Sequence, residues 1–307
     1  MGQLLNYYLT SLNYPDIPPF LQKYLNTNSL RRLKNIDYFC GMYSSSPEIY
    51  NFQEKISRFH HSLSVALLTY RYTYNREKTI AALFHDVGTP CFSHVIDYMN
   101  GDYATQESTE KYTKQIIQED KSLLRCLEQD SISLEDVIDC KKYSIVDSPR
   151  PSLCADRLDG LILTGIGWGR CVTKIDIDLI LSNLIICKNE HGQDEFGFSH
   201  EYAAERLYDI SCEIDELCHS KEDNYMMSLL ARITKLGIQF GLFTYEDLFV
   251  ITDKDAFRIL DRCNIPEITI QLEIFRNIRK QEIPTINLPY IKKRDINPLV
   301  KGTRLIT

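Results

Sequence analysis

A chain of 307 residues with 44% hydrophobic and 25% charged side chains has the material for one large or two ordinary domains around a sizeable core, which excludes a disordered or fibrous protein. A formal charge of −7 argues against a general nucleic-acid binder, and no apolar run reaches the ~18 residues of a membrane-spanning helix. Ten Cys without a C-x-x-C pair fit buried reduced thiols, and the opening residues lack the charged-then-apolar order of a secretory leader, so a cytoplasmic location away from membranes is expected.

Helical periodicity dominates the chain. Ser29, Leu30, Leu33, Ile36 and Phe39 predict a helix over 29–40 with Ser29 as its cap. Pro47 precedes a helix spanning roughly 50–74, with Phe59, Leu63, Leu67 and Leu68 on its apolar face. Helices follow over 77–86 and 92–99, then a turn at Asn100-Gly101-Asp102, helices near 105–119 and 120–129, and one opened by Pro149 and Pro151 that runs to about 163. After Gly165-x-Gly167-x-Gly169 the texture changes: Leu184–Cys187 and Glu195–Phe198 flank a turn-rich stretch and read as a β-hairpin. Helices resume over 200–219, 222–241, 245–250 and 254–262. From Ile268 onward, with Pro284, Pro289 and Pro298, the tail reads as strands and loops, and its Lys292-Lys293-Arg294 run as a solvated strand. The expected fold class is mainly α: a helical core over 1–165, with its motif region at 57–163, and a helical C-terminal subdomain over 166–307 that carries the β-hairpin and basic tail, packed on the core.

Four of the seven His lie between positions 60 and 94: His60, His61, His85 and His94. His85-Asp86 follows the apolar run Ala81–Phe84, and a carboxylate buried beside an imidazole is costly unless a cation or hydrogen-bond donors hold its charge. Further on, Asp156 and Asp159 stand at i, i+3 on one face of a helix. His61, His85, Asp86 and Asp156 together offer two neutral nitrogens and two anionic oxygens, a mixture suited to a divalent metal such as Mn, Fe, Zn, Ni or Mg.

The residues Arg58-Phe59-His60-His61-Ser62-Leu63, His85-Asp86-Val87-Gly88-Thr89-Pro90-Cys91-Phe92-Ser93-His94 and Asp156-Arg157-Leu158-Asp159 resemble the three motifs of the HD superfamily of metal-dependent phosphohydrolases, in the branch that holds the deoxynucleoside triphosphate triphosphohydrolases (dNTPases). Arg32-Leu33 with Ile36, and Lys292–Leu299, resemble that branch's opening and closing motifs. The resemblance implies an HD-domain core with His61, His85, Asp86 and Asp156 as metal ligands and Asp86 also in the catalytic group. It further implies His94 as general acid, Glu107 as an acid/base partner, and Arg58, Arg157, Tyr38 and Asp159 as substrate contacts. A homo-oligomer built partly through the C-terminal region is also implied.

Departures fall around the ligands. Thr89 and Gln106 stand where the branch carries His, and Tyr38, Gly160 and Thr164 stand where it holds the sugar. The expectation is a hydrolase of a nucleotide or other phosphorylated small molecule, dNTPase-like with an altered sugar pocket. The alternatives are a nucleotidase or phosphodiesterase, and a non-catalytic nucleotide-binding protein of the same fold.

Overall fold

The computed structural model describes residues 2–286 and 290–306; Pro289, counted above among the breakers of the tail, lies outside them. Helices α1 (Gln3–Ser11), α2 (Pro19–Gln22) and α3 (Asn28–Arg32) lead into a helical hairpin, α4 (Arg58–Thr73) and α5 (Arg76–Phe84). Tyr74, in the left-handed region at φ 50°, makes the turn, and Asn75 caps α5 by accepting from the Lys78 N–H at 2.8 Å. α6 (Val95–Asn100), α7 (Thr113–Glu119), α8 (Lys121–Asp130), α9 (Leu134–Ile138) and α10 (Ala155–Thr164) complete the first half.

α4 is the axis of the molecule. Val65, Ala66 and Leu68 are fully buried, and so are Ser62, Ser64 and Thr69, whose small side chains let α5 and α10 approach closely. Ser64 and Thr69 donate back to carbonyls of their own helix, so their burial leaves no hydroxyl hydrogen unpaired. After α5 the chain must turn tightly, and Gly88 permits it: a Cβ there would lie 2.1 Å from Thr113 Oγ1 and 2.8 Å from Thr113 Cα. Arg32 clamps the same turn, donating to the carbonyls of Val87 and Thr89.

The second half is helical with one small sheet. α11 (Lys174–Asn183) runs into β1 (Leu184–Lys188), which pairs antiparallel with β2 (Asp194–Phe198) in the register Leu184 to Phe198. β3 (Leu299–Val300) adds to β2 in parallel and β4 (Thr303–Arg304) closes the sheet, order β1-β2-β3-β4. α12 (Glu201–Cys218) packs on the sheet, α13 (Lys221–Gln239) lies on α6, and α15 (Pro266–Asn277) packs on both α13 and α14 (Asp253–Arg262). Gly165–Gly169 is a buried π-helical turn continuing α10, and the same hydrophobic core reaches from Leu5 to Leu299. The fold is thus mainly α with a small four-stranded sheet. Among the described residues no helix is long and apolar enough to cross a membrane, and all ten Cys are free.

Three expectations are corrected. The helix over 29–40 stops at Arg32 and passes through one tight turn, Leu33–Asn35, because the Asp37 N–H is drawn to Asp253 Oδ2 at 2.7 Å. Its N-cap position is Thr27, while Ser29 lies within the first turn and binds Asp120. The helix placed over 50–74 starts at Arg58, since Glu54 is drawn away to cap α1, accepting from the Leu4 and Leu5 N–H groups at 2.6 and 2.8 Å. The tail from Ile268 begins as α15, with Pro266 at its first position, where a missing N–H costs nothing.

Candidate metal centre and active-site cavity

His61 stands one turn into α4, His85 and Asp86 at the end of α5, and Asp156 in the first turn of α10, so the close packing of three helices brings them together. Each imidazole is fixed from behind. His85 Nδ1 lies 2.7 Å from the Ala82 carbonyl, which can only accept, so that nitrogen carries the proton. His61 Nδ1 meets Asp159 Oδ2 at 2.7 Å in the same way. In the neutral rings each Nε2 is thereby the lone-pair nitrogen, and the two converge to 3.3 Å. Asp156 Oδ1 lies 3.0 Å from His61 Nε2 and 3.5 Å from His85 Nε2, and Asp86 oxygens lie 3.8 Å from each ring.

Like lone pairs and carboxylates crowded this closely call for a cation, and the titration of the site says the same. Burial alone would lower His61, yet Asp156 and Asp159 carry it up to about 10, so without a metal a proton occupies the position that a bound cation would take. Asp86 is held down to about 2 by His85, Arg58 and His61 despite burial, and Asp156 is held well below the usual carboxylate range by the two His. Two imidazole nitrogens in the ligand tautomer and two ionised carboxylates match a divalent metal of intermediate hardness. His61, His85 and Asp86 offer donor atoms within 4.8 Å of one another and could hold a divalent metal, with Asp156 beside them.

The ligands open onto a cavity of about 950 Å³. Arg58 is buried beside them: Nη1 donates to Asp86 Oδ2 at 3.0 Å, Nε to Ser93 Oγ at 3.2 Å, and the guanidinium lies 5.0 Å from the Tyr38 ring, which itself leans on His61. His94 lines the cavity with its Nδ1 held 2.9 Å from Asp97 Oδ2. Burial keeps this ring below the ordinary imidazole range, with Asp97 acting in the opposite direction. The turn that presents it is strained: Phe92 and Ser93 have φ of 62° and 46°, and the Phe92 N–H is pinned by Asp253 Oδ1 at 2.7 Å. Glu107 is exposed at the rim of the same cavity.

Other candidates sit differently. Asp159, expected to touch substrate, is fully buried behind His61 and receives the Tyr8 hydroxyl on its other oxygen at 2.7 Å, so its function is to hold the imidazole. Arg157 lines the cavity, but it donates to the Ser152 carbonyl and, at 2.7 Å, to that of Ser148, so part of its donor capacity fastens the 148–152 loop. His60 is spent on the start of α4, where its Nδ1 accepts from the Ser57 N–H at 3.0 Å. The tail is not a solvated strand: Lys292 and Arg294 line the cavity, and Arg294 donates to the buried Gln106 at 2.6 Å. Neither Thr89 nor Gln106 restores the missing imidazoles, and Thr89 is buried at the turn.

Several residues of the site escaped the sequence reading. Asp97 was visible as His94-x-x-Asp97, one helical turn apart. Asp147, whose carboxyl burial and the nearby Asp156 push upward, groups with Cys154 and Asp156 as a second possible donor set. Arg150, lowered to about 10 by burial and by Arg157 and Arg294, had no signal beyond its charge.

Asp159 gives a direct test of how the ligand is held. Asp159→Asn should weaken metal affinity by about 10- to 100-fold, because the orienting partner of a ligating His sets both its tautomer and its basicity. Competition against a fluorescent chelator measures this, and an unchanged affinity would refute the assignment.

Comparison with known proteins agrees with this geometry. Residues 58–160 match the family model of the HD domain, a segment that holds all four candidate ligands. A Bacillus subtilis protein described as uncharacterized protein YdhJ is 25% identical over 246 residues, 78% of this chain and 70% of its own length. A Cordyceps militaris protein named metal-dependent phosphohydrolase cns2 is 26% identical over 130 residues, 42% of this chain and 37% of its own.

Proposed function

We propose that this chain, with its HD-domain segment, is a metal-dependent phosphohydrolase that cleaves a nucleotide phosphoester or phosphoanhydride, with dNTP triphosphohydrolysis the nearest analogy. The observation that carries this reading is the convergence of two locked Nε2 lone pairs and two carboxylates at the wall of a cavity that also holds Arg58 and His94. The name of the Cordyceps relative supports the reaction class. Held by His61, His85, Asp86 and Asp156, a divalent metal supplies Lewis acidity and positive charge toward a phosphate.

The protein's own groups supply the rest. Arg58 lines the cavity and its Nη2 makes no hydrogen bond among the described residues, which leaves it to bind a phosphate beside the ligands through a charge-assisted contact. Arg150, Arg157, Lys292 and Arg294 give the cavity a cationic side for further phosphate charge. With Nδ1 fixed on Asp97, His94 presents Nε2 to the leaving oxygen; the ring donates there in its protonated form, which burial makes the minor form at neutral pH.

The second reading, a nucleotidase or phosphodiesterase, is favoured by the sugar side of the site. A side chain grown from Gly160 would start 3.4 Å from the Tyr38 hydroxyl, which itself reaches the Gly160 carbonyl at 3.4 Å, so Tyr38 closes the space an aromatic residue at 160 would use. Product analysis decides between the readings. The protein is incubated with Mn²⁺ or Mg²⁺ and a panel of nucleoside mono-, di- and triphosphates and cyclic monophosphates. Tripolyphosphate marks a triphosphohydrolase, orthophosphate from monophosphates a nucleotidase, and opened cyclic nucleotides a phosphodiesterase. Failure to act on any of them with any divalent metal would overturn the nucleotide-hydrolase reading.

A further inference from the structure

Part of the cavity wall is built of aromatic rings. Phe52 stacks on Phe39 at 4.7 Å and on Tyr50 at 5.3 Å, and Trp168 stands 6.4 Å from Phe39 and 5.5 Å from Tyr50. Met42, Met227 and Leu161 continue the apolar wall. Into this chamber projects one carboxyl group, Asp223. It belongs to the first turn of α13, where an acid ordinarily faces solvent and complements the helix dipole. Here it turns inward, and Oδ1 accepts the Tyr50 hydroxyl at 2.5 Å while Oδ2 makes no hydrogen bond among the described residues.

Burial lifts this carboxyl to about 7, with Tyr50, Arg294 and His219 acting in the opposite direction. Asp223 Oδ2 is open to the cavity, so a ligand that presents an N–H there takes the place of water on it. The cavity as a whole therefore combines cations, the four candidate metal ligands and an aromatic wall that carries a carboxyl acceptor, with Arg294 close enough to Asp223 to act on it. A molecule that fills it has an anionic end, a phosphorus at the ligands and an aromatic ring bearing an N–H donor.

We propose that Asp223 selects the base of the substrate: the chamber takes a heteroaromatic ring with an exocyclic amino group, as in adenine and cytosine, over the oxo analogues hypoxanthine and uracil. This rests on the nucleotide reading above and makes it more specific. The amino group donates to Oδ2, whereas an oxo group in its place sets two acceptors against each other; a site built around a hydrogen bond rejects the analogue that cannot make it.

Trp168 is the single tryptophan of the chain and stands in the chamber wall, so its emission reports what stacks there. The test titrates the full chain at pH 8 with adenosine, cytidine, inosine and uridine, following Trp168 quenching and confirming affinities by calorimetry. Adenosine should bind roughly tenfold more tightly than inosine, and cytidine than uridine, the size of one charge-assisted hydrogen bond. Asp223→Asn, whose carboxamide can present a donor, should abolish or reverse the order, and Tyr50→Phe, which keeps the carboxyl, should preserve it. Equal affinities in the wild type, or an order unchanged by Asp223→Asn, would overturn the proposal. Should Asp223→Asn fail to fold by circular dichroism, the wild-type order and Tyr50→Phe decide alone. Nucleosides carry no phosphate to cleave: amino preference without hydrolysis of any nucleotide leaves Asp223's assignment standing and removes the hydrolase reading, and hydrolysis without amino preference does the reverse.

Discussion

Asp86→Ala abolishes metal binding and hydrolysis together: metal per chain, measured by plasma mass spectrometry, falls to background, and turnover falls on the order of 10³-fold or more. The reason is more than the loss of one donor. Asp86 also receives Arg58 Nη1 at 3.0 Å, and it offsets the positive charge of that buried guanidinium. Without it, Arg58 stands unpaired beside two imidazoles with Asp156 as the remaining anionic ligand, so the site repels the cation it now attracts. Asp86→Asn, which keeps the shape, should lose metal almost as fully, because charge rather than volume is what the site needs. Stoichiometric metal in either variant would mean that His61, His85 and Asp156 suffice and that the assignment of Asp86 is wrong.

His94→Gln should separate chemistry from metal binding. His94 touches none of the four ligands and is held by Asp97, so the variant keeps its metal, while kcat falls about 10²- to 10⁴-fold, the range of a lost general acid. A substrate whose leaving group needs no proton, such as a p-nitrophenyl phosphoester, should recover most of that loss. Asp97→Asn should fall between wild type and His94→Gln, since it disturbs the orientation of the ring without removing it. A His94→Gln protein equally slow on the p-nitrophenyl ester would exclude proton donation and leave His94 a substrate-binding role.

The cluster of candidate ligands was legible because its chemistry is local: a His-Asp pair after an apolar helical run cannot be buried unassisted, and the i, i+3 pair on the next motif shows which face to expect. What spacing could not tell is which side of an imidazole a carboxylate meets. Asp156 and Asp159 share a helix face, yet one approaches His61 at Nε2 in the cavity and the other at Nδ1 behind it. The β-hairpin and the long helices of the second half were legible from periodicity, and Pro266 was a helix-start signal that the later prolines masked. Contacts between distant segments were not legible. Glu54 leaves its own neighbourhood to cap α1, and Arg294 reaches Gln106 across 188 positions, so the charged tail forms a wall of the cavity. Asp223 was hidden for a related reason, because an acid at the start of a helix is usually on the surface.

The Tyr8 hydroxyl on Asp159 bears on how portable this centre is. Tyr8 sits in α1, well outside the matched segment 58–160, and supports the carboxylate that orients the first ligand. Residues 58–160 transplanted alone would therefore carry every metal-binding side chain and still lack the brace that sets one of them. The unit that can be moved or recombined intact is larger than the stretch its motifs mark out, and grafts of this centre onto another scaffold must bring a hydroxyl to that same oxygen.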